Sequence, residues 1–412
     1  MAIVSGTKIV DDGLVFQYDM NNVRSFKGKP TTNLNAEDIP DLEQIGPPTL
    51  TQYSSPTPIG TTAYTVTDSS TSNYQLVRRG SVATIPNDTS TYYLSIYVKK
   101  NVSTAERFGI NWGFDGGTTS ISNNSRFDPQ TGAASGSGTG GGSVVDLGEW
   151  WRWIVTSSNN ATGNTNLYVN IYPAAGQNGS DDATATGTVV ISALQIETGS
   201  FATPFVDGTR SNTEAIIDLT GNETVTANSL TYNSDNTFTF SNGEYITLAN
   251  SASIFGSGSV STTLDFWIKP ISVSGHIPVG HQNVSGERLY IGIYPNVPQV
   301  WDLGWGSNAW NAGFTGTRPS VDFNQWQHIC VSINSGVVSL YKNGVKSTFS
   351  KTDTTVNLTG VFPIGTYFET GGTPNAAYYG TDEIDIFRIY NRALSEAEVA
   401  QNFNASRTRF GI

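Results

Sequence analysis

Residues 378–403, YYGTDEIDIFRIYNRALSEAEVAQNF, restrict the fold more than any other stretch of this chain. They join a strand-like run to one short helix near the C-terminus. Ile384, Ile386 and Arg388 alternate with Asp385, Phe387 and Ile389, the period of two that a pleated strand requires, with apolar residues on both faces. Ser395 followed by Glu398 is a capping box, in which the Ser oxygen accepts from a free first-turn amide and the Glu reaches back to the cap. Leu394, Ala397, Val399 and Phe403 give the helix an apolar side. No other segment reads as a convincing amphipathic helix. Parallel βαβ layering is therefore disfavoured, and antiparallel sandwiches are expected.

Short alternating runs recur from residue 92 onward between clusters of Gly, Asn, Asp and Ser. Leu94, Ile96 and Val98 alternate with Tyr93, Ser95, Tyr97 and Lys99, and Leu167, Val169 and Ile171 alternate with Tyr168, Asn170 and Tyr172, as half-buried strands do. A chain of 412 residues exceeds the roughly 250 at which single cores stop growing, so two or three domains are expected. Aromatic residues make up 11% of the chain and include nine Trp, which argues against disorder because such side chains offset chain entropy on burial. The expected fold class is all-β: two antiparallel β-sandwich or jelly-roll domains and one short C-terminal capped helix.

The net charge of −12 and the lack of any Lys/Arg run argue against nucleic acid and anionic lipid as partners, since both need clustered positive charge. The single cysteine, Cys330, excludes an intrachain disulfide and reads as a small buried hydrophobe. The N-terminal residues MAIVSGTKIVDDG lack the basic and apolar regions of a signal peptide. No apolar run reaches transmembrane length. The expectation is a protein made in the cytoplasm without a signal peptide and without membrane insertion.

Two resemblances organise the chain. The pattern YYLSIYVKK (92–100), RFDPQTG (126–132), DLGEWWRWIV (146–155) and LQIETGSFATPFVDG (194–208) resembles carbohydrate-binding-module-like jelly rolls of phage tail and head fibre proteins. Within it the Gly-rich GAASGSGTGGGS of residues 132–143 is read as a long hairpin loop. The closing DIFRIYNRALSEAEV, with LDFWIKP (264–270) and the hairpin WQHICVSINSGVVSLYKNG (326–344), resembles the laminin G-like, concanavalin A-like domains of bacteriophage virion proteins. IVDDGLVFQYDMNNVRSFKG (9–28) is similar to the first strand of those domains, and its usual continuation appears about 190 residues later as IIDLTGNETVTANSLTYNSDNTFTFSNGEYITL (216–248). The expected organisation is residues 1–29 supplying the first strand of the C-terminal sandwich, 30–208 an inserted jelly roll, and 209–412 the sandwich itself. Surface loops tolerate such insertions best.

Glycan recognition uses flat aromatic faces beside amide and carboxylate hydrogen-bonders, and residues 300–313, VWDLGWGSNAWNAG, place Trp301, Trp305 and Trp310 among Asp302, Asn308 and Asn311. The same Trp residues would serve equally well as interface anchors or core plugs. Trp150, Trp151 and Trp153 form a weaker set, since at least one must face the jelly-roll core. The laminin G-like resemblance implies calcium at a sandwich rim, a site of about six to eight oxygen ligands. The places to look are Asp382, Glu383 and Asp385, then Asp181 with Asp182, and Ser307 with Asn308. No other cofactor is expected. His328 reads as a core residue, and His276 and His281 match no zinc-site spacing.

Glu383-Ile384-Asp385-Ile386 resembles the paired-carboxylate signature of laminarinase-like glycosidases. Retaining hydrolysis needs two carboxylates about 5–5.5 Å apart, and the places where a second Glu would stand hold Phe387 and Arg388. No catalytic residues are assigned. The resemblance implies a non-enzymatic virion structural protein, a fibre or adhesin component binding host-surface glycan. The alternatives are an architectural capsid or tail decoration protein and a polysaccharide depolymerase. Expected partners are other virion proteins, host carbohydrate and further copies of the chain.

Overall fold

The computed structural model describes all residues except 1–7, 23, 36, 56, 101–106, 137–141, 177–182, 234–236, 250–260, 283–287, 295–298, 307–314, 353–359 and 370–371. Two compact units emerge, one of Met1–Pro30 with Ser211–Ile412 and one of Thr31–Arg210. Both are built of β-sheets, and the C-terminal helix Glu396–Ser406 is the α-helix among the described residues. No described helix is long and apolar enough to cross a membrane.

The unit of residues 31–210 packs two six-stranded antiparallel sheets face to face. Its core comes from the inward phase of the alternating strands, with Leu94, Ile96 and Val98 from one sheet meeting Phe108, Ile110, Trp112, Leu167 and Ile171 from the other. The Gly-rich segment differs from the expected hairpin loop. Ile121–Phe127 and Trp150–Ser158, which flank it, lie in different sheets. Ala134–Gly136 pairs with the former and Ser143–Asp146 with the latter, so the described ends of the segment edge different sheets. Glycine suits this role at Gly136 and Gly142, where a Cβ would come within 2.5 and 2.0 Å of backbone oxygens.

In the other unit the closing strand Asp382–Tyr390 is central to an eight-stranded sheet. Thr262–Pro270 pairs along one edge, while Phe238–Phe240 and Leu14–Asp19 share the other. Phe16 and Tyr18 of that first strand are fully buried, and Tyr18 stacks on Phe387 at 6.1 Å. Next in order come Gln327–Asn334, Val337–Lys342 and Val345–Thr352. Their tight turns, Ser335–Gly336 and Asn343–Gly344, have both central residues at positive φ, as two-residue hairpins require. Facing this sheet across a shared core are a five-stranded sheet, ordered Val300–Gly306, Arg288–Tyr294, His276–Gln282, Thr366–Glu369, Thr373–Pro374, and a three-stranded one.

A β-bulge alters the alternation of the closing strand. Trp267 faces Ile386 and Ile268 faces Ile384, which leaves Asp385 as the extra residue. Ile384 consequently joins Phe387 and Ile389 in the core, although simple alternation puts it in the opposite phase.

The helix Glu396–Ser406 has the capping box, with Ser395 and Glu398 satisfying each other's amides. Its buried stripe is Val399, Asn402 and Ser406, while Ala397 of the expected apolar side is exposed. The stripe is polar because it covers buried charge. Asn402 donates to Asp265 at 3.2 Å and to the Tyr390 hydroxyl at 3.0 Å, and accepts from the Val10 amide at 2.9 Å. Cys330 is buried beside this cluster.

Candidate functional site

The strand Arg288–Tyr294 reads RLYIGIY, and its two phases have different fates. Leu289, Ile291 and Ile293 enter the core. Tyr290, Gly292 and Tyr294 take the outer face, where Tyr290 stands between Gly280 and Gly304 and Gly292 stands beside Asp302. The glycines make room for the rings: a Cβ at Gly304 would lie 1.8 Å from Tyr290 Cε1, and one at Gly280 would lie 2.7–2.8 Å from Tyr367 and Tyr290. A one-turn 3-10 helix, Ala376–Tyr378, is capped by Asn375 accepting from the Ala377 amide and brings Tyr378 edge-on to Tyr367 at 5.5 Å.

The result is a cleft of about 390 Å3 on the outer face of the five-stranded sheet. Its walls include His276, Tyr290, Tyr294, Asp302 and Tyr378, and Gly292 lies among its lining residues. Tyr290 donates its hydroxyl to Asp302 Oδ2 at 3.3 Å, and Arg318 donates Nε to Asp302 Oδ1 at 2.9 Å. Burial pushes the Asp302 carboxyl above its ordinary range, and the Arg318 guanidinium only partly reverses it. Burial and the nearby Asp302 carboxylate push the Tyr290 hydroxyl far up, so it stays a donor. Tyr367 is pushed up to about 12, mainly by burial.

His276 closes one end of the cleft. Its Nδ1 meets the Ser274 carbonyl at 2.8 Å, and its Nε2 meets both Asp382 oxygens at 3.0 and 2.9 Å. The Ser274 carbonyl can only accept, so Nδ1 donates to it, and an ionised Asp382 favours a second proton on Nε2. Burial pulls the His276 pKa down, and the Asp382 carboxylate outweighs it and leaves the pKa raised. Gly380 packs on this ring, with a notional Cβ 2.1 Å from His276 Cδ2.

The structure scatters the residues singled out from sequence. Trp301 is fully buried in the core and donates Nε1 to Gln327 at 3.1 Å, so it is withdrawn from the aromatic glycan set: alternation along Val300–Gly306 turns it inward and its neighbour Asp302 outward. Asp302 is a wall of the cleft. Trp305 occupies the strand position opposite Leu289. Asn308, Trp310 and Asn311 lie outside the described residues, as do Ser307, Asp181 and Asp182.

Asp382, Glu383 and Asp385 do not converge. Asp382 pairs with His276, Glu383 with Lys269 at 2.9 Å, and Asp385 with Arg409. Among the described residues no group of three or more His, Cys, Asp or Glu side chains is placed to hold a metal ion. His281 and His328 are buried, His328 against Asp265 at 3.0 Å. In the jelly-roll unit Trp153 is core, stacked on Phe127, and Trp151 is half-buried with the Lys100 ammonium 3.5 Å from its ring centre.

Tyr290, Tyr294, Tyr378, Gly292 and Arg318 were missed from sequence. A signal was present: in LYIGIY the aromatic-glycine-aromatic phase lies opposite the aliphatic one, as an outward aromatic floor would.

This is a protein of lectin-like β-sandwich architecture with a tyrosine-lined cleft on an outer sheet face. Residues 240–400 match the model of the concanavalin A-like lectin/glucanases superfamily. Among solved structures the chain is similar to one described as "Cell entry of botulinum neurotoxin type C is dependent upon interaction with two ganglioside molecules", at 20% identity over 47% of this chain and 50% of that chain, with a TM-score of 0.36. It is similar also to the binding domain of botulinum neurotoxin DC in complex with rat synaptotagmin II, at 19% over 47% and 50%, TM-score 0.37. A third is domain 4 of AbnA, an extracellular arabinanase from Geobacillus stearothermophilus, in complex with arabinotriose, at 22% over 47% and 92%, TM-score 0.33. The chain thus spans about half the length of the neurotoxin chains it matches. No curated protein gives a significant match.

Proposed function

We propose that the chain is a non-enzymatic glycan-binding protein of a bacteriophage particle, a fibre or adhesin component that holds host-surface carbohydrate in the tyrosine-lined cleft. The observation carrying this reading is the cleft itself, where Tyr290, Tyr294 and Tyr378 stand beside the fixed Asp302 carboxylate. A pyranose offers an apolar C–H face and a rim of hydroxyls, and aromatic walls with a few convergent polar groups match both. The match of residues 240–400 to a lectin-containing superfamily is in keeping with binding. The virion role rests on the sequence resemblance of residues 9–28, 92–208 and 378–403 to phage fibre domains.

The partners in this reading are host carbohydrate, other virion proteins and further copies of the same chain. It calls for no cofactor, nucleic acid or membrane insertion. Nor does it assign a catalytic carboxylate: Glu383 and Asp385 are each engaged by a cation, Lys269 and Arg409.

A glycan array probed with the full chain and with Tyr294→Ala and Tyr378→Ala tests it. Each variant should lose about tenfold in affinity, the scale of one well-placed contact residue. Unchanged binding by both variants would overturn the cleft assignment. Normal glycan binding combined with failure to enter particles would favour the architectural role instead. Release of reducing ends from host polysaccharide would overturn the non-enzymatic reading.

A further inference from the structure

Arg318 contacts two walls of the cleft, Asp302 and Tyr294, and is held there in an unusual way. Its Nε donates to Asp302 Oδ1 at 2.9 Å. Its guanidinium carbon lies 5.4 Å from the Tyr294 ring centre and 5.0 Å from that of Phe349, so two rings and one carboxylate fix its position. The side chain keeps 30% of its exposure, while Asp302 keeps 5%. No described residue accepts a hydrogen bond from Nη1 or Nη2. A guanidinium has five N–H donors in a planar fork, and here one edge is used while the end bearing both Nη groups is left over.

We propose that the cleft selects glycans carrying a carboxylate, a uronic or sialic acid residue, and that Arg318 reads that group through paired Nη1 and Nη2 hydrogen bonds. This rests on the glycan-binding reading of the cleft and adds a ligand class to it. The two-oxygen carboxylate matches the spacing of the two Nη donors, which a single hydroxyl does not. Asp302 serves as the positioning partner: by occupying Nε it aims the free end of the fork and prevents the long side chain from swinging. Tyr294 lies within reach of the same sugar ring, because it both lines the cleft and flanks the guanidinium. The net charge of −12 opposes an anion at long range, but charges beyond about 8 Å are largely screened at physiological salt. Selection is therefore a contact property.

The test compares acidic glycans with their own carboxyl-reduced forms, using the full chain in a calorimetric or array titration. The probes are an oligogalacturonide and 3′-sialyllactose, each beside its reduced, neutral counterpart. At least one acidic probe should bind about tenfold or more tightly than its neutral form, the scale of hydrogen bonding to a charged group. Which probe shows the preference distinguishes the uronate from the sialate source. Arg318→Gln should abolish the preference for the acidic over the neutral form, whatever it does to the affinity for both, and Arg318→Lys should restore only part, since it supplies charge without the fork. Equal binding of acidic and neutral forms by the unmodified protein would overturn the proposal and leave the glycan-binding reading standing. A preference that survives in both Arg318 variants would overturn the role of Arg318. Absence of binding to every acidic and neutral glycan would overturn both.

Discussion

Nη1 of Arg388 lies 2.9 Å from Oδ1 of Asp265, with both side chains buried beneath the C-terminal helix. The other Asp265 oxygen meets His328 Nε2 at 3.0 Å and Asn402 Nδ2 at 3.2 Å. Burial alone would raise this carboxyl, but His328 and Arg388 outweigh it and hold it at about 2. Removing one member of a buried pair strands the other, so Asp265→Asn should destabilise its unit by about 3–5 kcal/mol. Denaturant unfolding should show that loss above pH 4 and show it shrinking as the pH falls toward 2, where the native carboxylate itself takes up a proton.

Asp385 titrates with the opposite sign. Burial is the main cause of its rise from 3.8 to about 6; Arg409 opposes the rise and Asp19 adds to it. Between those values the folded chain holds more protons than the unfolded one, so this group's contribution to stability falls as pH rises through the window. The loss is about 3 kcal/mol in full. Asp385→Asn should flatten the slope between pH 4 and 6 while Arg409 keeps its pair with Asp19 at 2.7 Å. An unchanged slope in the variant, measured by unfolding at several pH values, would show that Asp385 is not its source.

Gly304 tests the cleft through the position of the Tyr290 ring. A Cβ there would fall 1.8 Å from Tyr290 Cε1, closer than atoms approach, so Gly304→Ala must displace the ring. The variant should remain folded, at a cost of about 1–3 kcal/mol for overpacking. Glycan affinity should fall with the displaced Tyr290, about tenfold on an array. Retention of full affinity would mean that Tyr290 does not contact the ligand.

The first strand bears on how the chain is assembled. We propose that residues 30–208 are an insertion within a sandwich made by 1–29 and 209–412. Leu14–Asp19 pairs along the closing strand, the Gln17 amide donates to Asp218 at 2.9 Å, and Phe26 bridges to Ile216. A fragment of residues 209–412 loses the buried Phe16 and Tyr18 and exposes a long strand edge. It should lack a cooperative melt by circular dichroism, whereas residues 31–210, with a core of their own, should show one.

The all-β class and the C-terminal cap were legible in the sequence because both are local. The alternation of residues 92–100 and 167–172, the tight turns at Ser335–Gly336 and Asn343–Gly344, and the Ser395–Glu398 box are all present in the structure. The candidate site was legible only in part. Asp302 and Trp301 are neighbours in one strand, and composition gave no means of telling that one lines a cleft while the other is sealed in the core. Density of Trp drew attention to residues 300–313, whereas the described cleft is walled by Tyr from segments that look unremarkable in isolation.

Spacing of residue types along the chain was enough to establish strands, turns, a capped helix and the absence of clustered positive charge, since each depends on neighbours a few positions apart. Only the tertiary structure settled which phase of a strand faces inward after the bulge at Asp385. It alone showed that Asp382, Glu383 and Asp385 each take a different basic partner, and that Arg318 is aimed by Asp302 and two rings. The reason is physical: hydrogen bonds and ion pairs act over about 3 Å, and which groups come that close is set by strand register and sheet packing rather than by distance along the chain.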